Sequence, residues 1–443
     1  MIDLVNNLLG DSVASWVATL IAHLLTITVI LIVTPVTFMM MVWLERRAVA
    51  RMQDRLGPNR VGPAGLLQSV ADGVKMFTKE DIVPTAADRW VHLLAPVVTA
   101  APVIMMYAVI PWGKGVVPVD LGVAVLFVVA VSSVSAVGLM MAGWGSNNKF
   151  SLLGAMRAVA QMVSYEIPAV FALLVAVIVY GTMSLAQMPE LQAGIPIFGT
   201  TIAEAPDIGL GWFVFTPVGF VAALMFYIAA LAEGERTPFD IPEADSEIIA
   251  GYITEYSGMK FAVFYLGQFL LNYALSMIAA IVFLGGWQGP GVAYLTSLGG
   301  WGSFFGVVLS IIYLLIKSWF LFFVMIWLRG AFPRLRVDQL MSFAWKFLIP
   351  IALLNVLSAS LWVVVQQYGS TPAWSLPAGA LGASELAWLE TASPVIRQVT
   401  AWVLTLLING AAIAWVLSFN RRPADETLIE TVQDQVFGAR PLP

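Results

Sequence analysis

A succession of apolar runs long enough to cross a bilayer constrains this chain more than any other feature. A membrane-spanning helix needs ~20 consecutive, mainly apolar residues. Such runs lie near 19–44, 91–111, 119–142, 159–182, 212–232, 260–285, 303–328, 343–367 and 396–419. A water-soluble core has no use for them. With 60% hydrophobic and only 11% charged residues, the expected fold is all-α, a polytopic transmembrane protein of about nine spans. A Pro/Gly-rich connection at 369–395 precedes the last run. The expected organisation is a membrane domain over 1–368 with eight spans, and a C-terminal extension over 369–443 with one added span and a charged tail.

Basic residues in short connections orient such a protein. The connections at 45–90, 143–158, 233–259 and 329–342, with Lys260, Lys346 and the C-terminal tail, hold 19 of the 22 Lys and Arg. The alternate connections hold two, Lys114 and Arg397. The N-terminus is expected outside, the C-terminus in the cytoplasm and the large charged loops on the cytoplasmic face. The N-terminus has no basic region before its apolar run, so it does not read as a cleaved signal peptide.

Composition also narrows the chemistry. The chain has no cysteine, and its two histidines, His23 and His92, are far apart. Cysteine-ligated iron–sulfur clusters and the usual Cys/His zinc sites are therefore excluded within it. Neither GxGxxG nor GxxxxGK[ST] occurs, so the common nucleotide-binding signatures are absent. A net charge of −5 gives no support for nucleic-acid binding.

One stretch breaks the apolar pattern most sharply. LAEGERTPFDIPEADSEIIAGYITEYSG at 231–258 carries Glu233, Glu235, Asp240, Glu243, Asp245, Glu247 and Glu255, with Arg236 as its only basic residue. An acidic segment closed on both sides by apolar runs is a docking surface, the mouth of an ion path, or both. WLRGAFPRLRVDQLM at 327–341 adds Arg329, Arg334 and Arg336 on the same face. These arginines anchor the protein by the positive-inside rule, and they can also relieve the self-repulsion of the acidic loop.

Residues 45–81 read ERRAVARMQDRLGPNRVGPAGLLQSVADGVKMFTKED. Leu66, Leu67, Val70, Val74 and Phe77 fall at helical spacing, opposed by Gln68, Asp72, Lys75 and Lys79. That pattern predicts an amphipathic helix in the interface plane, either a simple anchor or the frame of an opening for a lipid-like molecule. The turn residues Gly57, Pro58, Gly62 and Pro63 place Arg60 beside its start.

In WGSNNKFSLLGAMRAVAQMVSYEIP at 144–168, Arg157, Gln161 and Tyr165 are spaced by four and share one helix sector with Ser164. Pro168 permits a kink. Glu166 lies in the same stretch, and a carboxylate at membrane depth must face protein or water. It is either a proton-path residue or a structural hydrogen-bonding group. Lys317 lies deep in a span, 12 residues before Arg329, or about 18 Å of ideal helix. Too deep for easy snorkelling, it can counter a buried carboxylate or serve a proton relay. The outside connections at 183–211 and 286–302 read as covers. These residues alone do not separate a protein with a lipid-like substrate from a secondary transporter, although no convincing internal repeat is found.

The stretches 45–81, 144–168, 232–261 and 327–341, in this order and spacing, resemble the membrane subunit that floors the quinone chamber of respiratory complex I, the proton-pumping NADH:quinone oxidoreductase. The resemblance covers roughly residues 20 to 368. It implies a helical subunit with eight shared spans in a bacterial plasma (inner) membrane, at the junction of the hydrophilic and membrane arms. Quinone chemistry would be relayed to the pumps through Glu166, Glu233 and Glu235, with Glu243, Glu247 and Asp72 as further members and Lys317 as a candidate from its depth. The chamber lining would include Glu45, Arg46, Arg60, Phe77 and Asp240.

No complete active site, metal or cofactor would belong to this chain alone. Quinone would be the substrate, and FMN and iron–sulfur clusters would sit in partner subunits. Those partners would be hydrophilic-arm subunits next to the terminal cluster and small membrane-arm subunits. A purely structural anchor, or the homologous subunit of a membrane-bound hydrogenase or other-donor oxidoreductase, are the alternatives. Asn147-Asn148-Lys149-Phe150 departs from the Asn-Ser-Lys-Tyr common in the family, and 369–443 goes beyond the shared spans.

Overall fold

The computed structural model describes residues 15–193, 211–241, 249–367 and 394–420. Glu243, Glu247 and the charged C-terminal tail lie outside the described residues. The described chain is all-α, as its apolar runs demand. The long helices are α1 (Ser15–Met52), α3 (Arg89–Met106), α4 (Ala124–Gly145), α5 (Lys149–Tyr180), α7 (Pro217–Glu233), α8 (Gly258–Phe283), α10 (Gly300–Ala331), α12 (Ile349–Gln367) and α13 (Pro394–Asn420). Shorter pieces join them: α2 (Gln68–Thr78), α6 (Met188–Ala193), α9 (Val292–Ser297) and α11 (Val337–Phe343).

Local signals set the ends. Asp88 accepts from the backbone of Trp90 and Val91 to start α3, and Asn148 accepts from Phe150 to start α5, each satisfying an orphan donor of a first turn. Thr216 caps α7, with Pro217 at the first helical position. Gly181 ends α5 in the left-handed region at φ 69°, where a Cβ would be penalised.

Among the described residues, eight helices are long and apolar enough to cross a membrane. All nine expected runs are helical, but the fifth departs from expectation. α7 has 17 residues, about 25 Å of helix, because the chain at Phe213–Phe215 takes a 3₁₀ turn before it. The span expected at 159–182 is instead part of one 32-residue helix that contains Pro168. A π turn at Ala344–Leu348 runs into α12.

α8 is the axis of the bundle, with 89% of its most apolar window buried, against 17% for α1 and 22% for α10. α5 comes close to the turn before α8: a Cβ on Gly154 would stand 2.6 Å from the Gly251 Cα. α13, the added span, is held by buried amides, since Asn409 Nδ2 donates to Asn355 Oδ1 at 3.1 Å and Asn355 Nδ2 to the Val218 carbonyl at 3.2 Å. Interhelical amide bonds of this kind stabilise membrane bundles by ~0.6–2 kcal/mol.

Candidate functional site: a buried carboxylate turn

The described part of the acidic stretch is buried within the chain. α7 ends at Glu233, and the Gly234 N–H closes on the Ala230 carbonyl. Gly234 leaves room for Asn272 of α8, whose Nδ2 donates to the Gly234 carbonyl at 3.0 Å. A Cβ on Gly234 would come within 1.9 Å of Asn272 Oδ1. Glu235 follows at φ 51° and Thr237–Pro238 is cis. Gln161 of α5 pins both arms of the turn, donating at 2.7 Å to the carbonyls of Ala232 and Phe239.

Four charged residues of this turn, Glu233, Glu235, Arg236 and Asp240, are less than a tenth exposed, at 6%, 5%, 4% and 8%. Charges at such depth need partners. Arg236 Nη1 donates to both oxygens of Glu45 at 2.7 and 2.6 Å, and Arg329 also donates to Glu45. Phe269 offers its ring face to the Arg236 guanidinium, 4.3 Å away, a cation–π contact. Arg334 bonds Asp240 at 2.9 Å. Two of the three arginines expected near the acidic loop therefore pair with acidic groups there.

One more carboxylate, Glu166, lies near Glu233 of this turn. Glu166 of α5 is partly buried and accepts from the Ser133 hydroxyl of α4. Glu233 interacts with the adjacent Ser132 and with the charge of Glu166. Glu235 accepts from the Tyr252 hydroxyl at 3.0 Å. Burying like charges within mutual reach is costly, and taking up a proton relieves it. Serine and tyrosine hydroxyls both donate and accept. Ser133 on Glu166 and Tyr252 on Glu235 are such hydroxyls, each bonded to a separate carboxylate.

The expected residues divide into three places. Glu45, Glu166, Glu233, Glu235 and Asp240 come together at this turn, from segments up to 191 residues apart. Arg46, Asp72, Arg60 and Phe77 lie outside this buried turn. There Arg46 of α1 pairs with Asp72 of α2, Phe77 is 74% exposed, and Arg60 is exposed in the preceding turn. The amphipathic helix is present, with Val70, Val74 and Phe77 exposed.

Lys317 stands apart from both. Its ammonium donates to the carbonyls of Leu284, Gly286 and Gln288. Among the described residues no carboxylate is bonded to it, so a buried acidic partner, one of the alternatives for this lysine, is not found there. Arg236, Gln161, Asn272, Ser132, Ser133 and Tyr252 join the site only through the fold. Their one linear signal is polarity inside or beside apolar runs. Among the described residues no group of three or more His, Asp or Glu is placed to hold a metal ion.

This arrangement, a bundle of helices long and apolar enough to cross a membrane with carboxylates buried among them, defines a multi-pass membrane protein. The NADH dehydrogenase family model matches residues 25–360, and the chain belongs to that family. It is 44% identical over 344 residues to the H subunit of NADH-quinone oxidoreductase from Dehalococcoides mccartyi strain CBDB1, covering 77% of this chain and 88% of that protein. The equivalent protein of Chlorobaculum tepidum is 44% identical over 328 residues, 72% of this chain and 86% of the relative. That of Carboxydothermus hydrogenoformans is 44% identical over 317 residues, 71% and 82% respectively. α13 lies beyond the family match.

Proposed function

We propose that the chain is the quinone-site membrane subunit of a proton-translocating NADH:quinone oxidoreductase of the complex I type. The observation that carries the reading is the burial of Glu233 and Glu235 at one turn of the bundle, with Glu166 of α5 held nearby by the Ser133 hydroxyl of α4. A mere anchor has no need of buried carboxylates at such cost. In this reading Glu166, Glu233 and Glu235 relay the quinone reaction toward the pumps, with Glu243 and Glu247 continuing the acidic loop. Asp72, Arg46, Arg60 and Phe77 frame the quinone entrance, and Glu45 and Asp240 fix the chamber floor through their arginines.

The bundle crosses the membrane nine times, with its N-terminus outside and the acidic turn on the cytoplasmic face. Hydrophilic-arm subunits complete the chamber and bring FMN and iron–sulfur clusters, while small membrane-arm subunits take up the proton relay. This chain binds quinone only jointly with them.

The test is Glu166→Gln in the native membrane, scored for assembly, quinone reduction by the natural donor and proton translocation. The expected result is normal assembly with reduction and translocation falling together, by ~10²-fold or more for loss of a group that must carry a proton. Unchanged activities in an assembled complex refute the role.

A further inference from the structure

Lys317 lies near the middle of the 32-residue helix α10, and the end of α8 stops beside it, opposite the acidic turn. A helix end within a membrane protein leaves carbonyls that water cannot satisfy. Their partners here come from side chains and from the turn itself. The Ala280 carbonyl accepts from the N–H groups of Leu284 and Gly286. Gln192 of α6 donates to Ile281 at 2.7 Å and Val282 at 3.2 Å. The Lys317 ammonium takes three carbonyls beyond them, donating to Leu284 at 2.7 Å, Gly286 at 2.9 Å and Gln288 at 2.6 Å.

The backbone is shaped for that convergence. Gly285 and Gly286 both have positive φ, 73° and 52°, which a side chain would resist. Trp212, just before α7, turns its ring to the ammonium at 4.5 Å, closing the remaining side with a cation–π contact. An ammonium has three N–H donors, and all three meet a carbonyl. Unwound backbone carbonyls at the ends of membrane helices are also what coordinates bound cations in transporters.

We propose that the carbonyls of Leu284, Gly286 and Gln288, with the Trp212 ring, form a cage for a primary ammonium whose resident cation is Lys317. The lysine is a tethered structural cation that locks the end of α8 to α10 and does not exchange its proton during turnover. The cage itself goes beyond the carboxylate reading, and only the claim about turnover rests on the proposed function. The Glu166→Gln result leaves the cage untouched.

Two variants of the whole complex test it. Lys317→Arg keeps the charge but cannot release a proton at working pH. Assembled Lys317→Arg complex is expected to translocate the wild-type number of protons per electron delivered to quinone, and a reduced ratio overturns the proposal. Lys317→Ala empties the cage, and the complex is expected to inactivate several degrees lower than wild type. Methylammonium restores that loss by donating to the freed carbonyls, whereas tetramethylammonium, which has no N–H, does not. Unchanged thermal inactivation, absence of rescue, or equal rescue by both ions each overturns the proposal. The alanine arm decides the matter even where the arginine side chain is too bulky for assembly.

Discussion

At the acidic turn, charge meets charge. Arg236 and Arg329 converge on Glu45, and Arg334 on Asp240. At the far end of α8, the bonds of Lys317 among the described residues go to backbone carbonyls and a ring. The first region contains several titratable groups whose protonation alters the charge felt by their neighbours. The second holds one ammonium whose three donors are all engaged. A membrane protein can therefore bury charge in two ways, as a network that can change state or as a bolt that cannot. α8 joins the two, since Asn272 bonds the Gly234 carbonyl and Leu284, its C-cap, lies in the cage.

Substitutions at the two ends sharpen this contrast. The largest loss is expected from Arg236→Met, because Glu45 would retain only Arg329. Breaking one side of a buried pair costs about 3–5 kcal/mol, read as lost complex on a native gel, and a normal yield would separate the pair from stability. Next comes Gly234→Ala, whose Cβ collides with the Asn272 amide. Overpacking of this sort costs about 1–3 kcal/mol, and Gly234→Ala combined with Asn272→Ala should regain part of the thermal stability. No recovery would place the strain elsewhere.

At the other end, Gly286→Ala forces a side chain into φ 52°, with its Cβ 2.9 Å from Pro189. A cost of about 1–2 kcal/mol is expected, visible as faster inactivation on heating with the proton-to-electron ratio unchanged. A changed ratio would mean that this end does participate in transfer. The smallest effect belongs to Arg46→Ala at the half-exposed pair with Asp72. Exposed pairs contribute about 0.2–1 kcal/mol, so stability should barely move, while a raised KM for quinone would mark the entrance.

Much of this was legible in the linear chain. The positions of the helices followed from runs of apolar residues, and the amphipathic α2 from spacing alone. Glu166 stood out because a carboxylate inside an apolar run is costly wherever it points. Arg236 stood out as the one basic residue of the acidic stretch, but its partner did not, because Glu45 lies 191 positions away. The sequence allowed a buried acid for Lys317. The structure supplied carbonyls, because α8 ends beside the middle of α10, a depth that the lengths of the two runs do not reveal.

The sequence by itself determined a helical membrane bundle, its family and the short list of ionisable groups that such a bundle must manage. Those properties follow from hydrophobicity and from the cost of charge in an apolar layer, which are local to each run. Only the tertiary structure decided which charges share a neighbourhood. Ser132 and Ser133 meeting Glu233 and Glu166, Gln161 pinning the acidic turn and Lys317 closing the end of α8 depend on contacts between distant segments. Pairing of buried polar groups is fixed by where helices stop and how closely they pack, and neither is written in the periodicity of a single run.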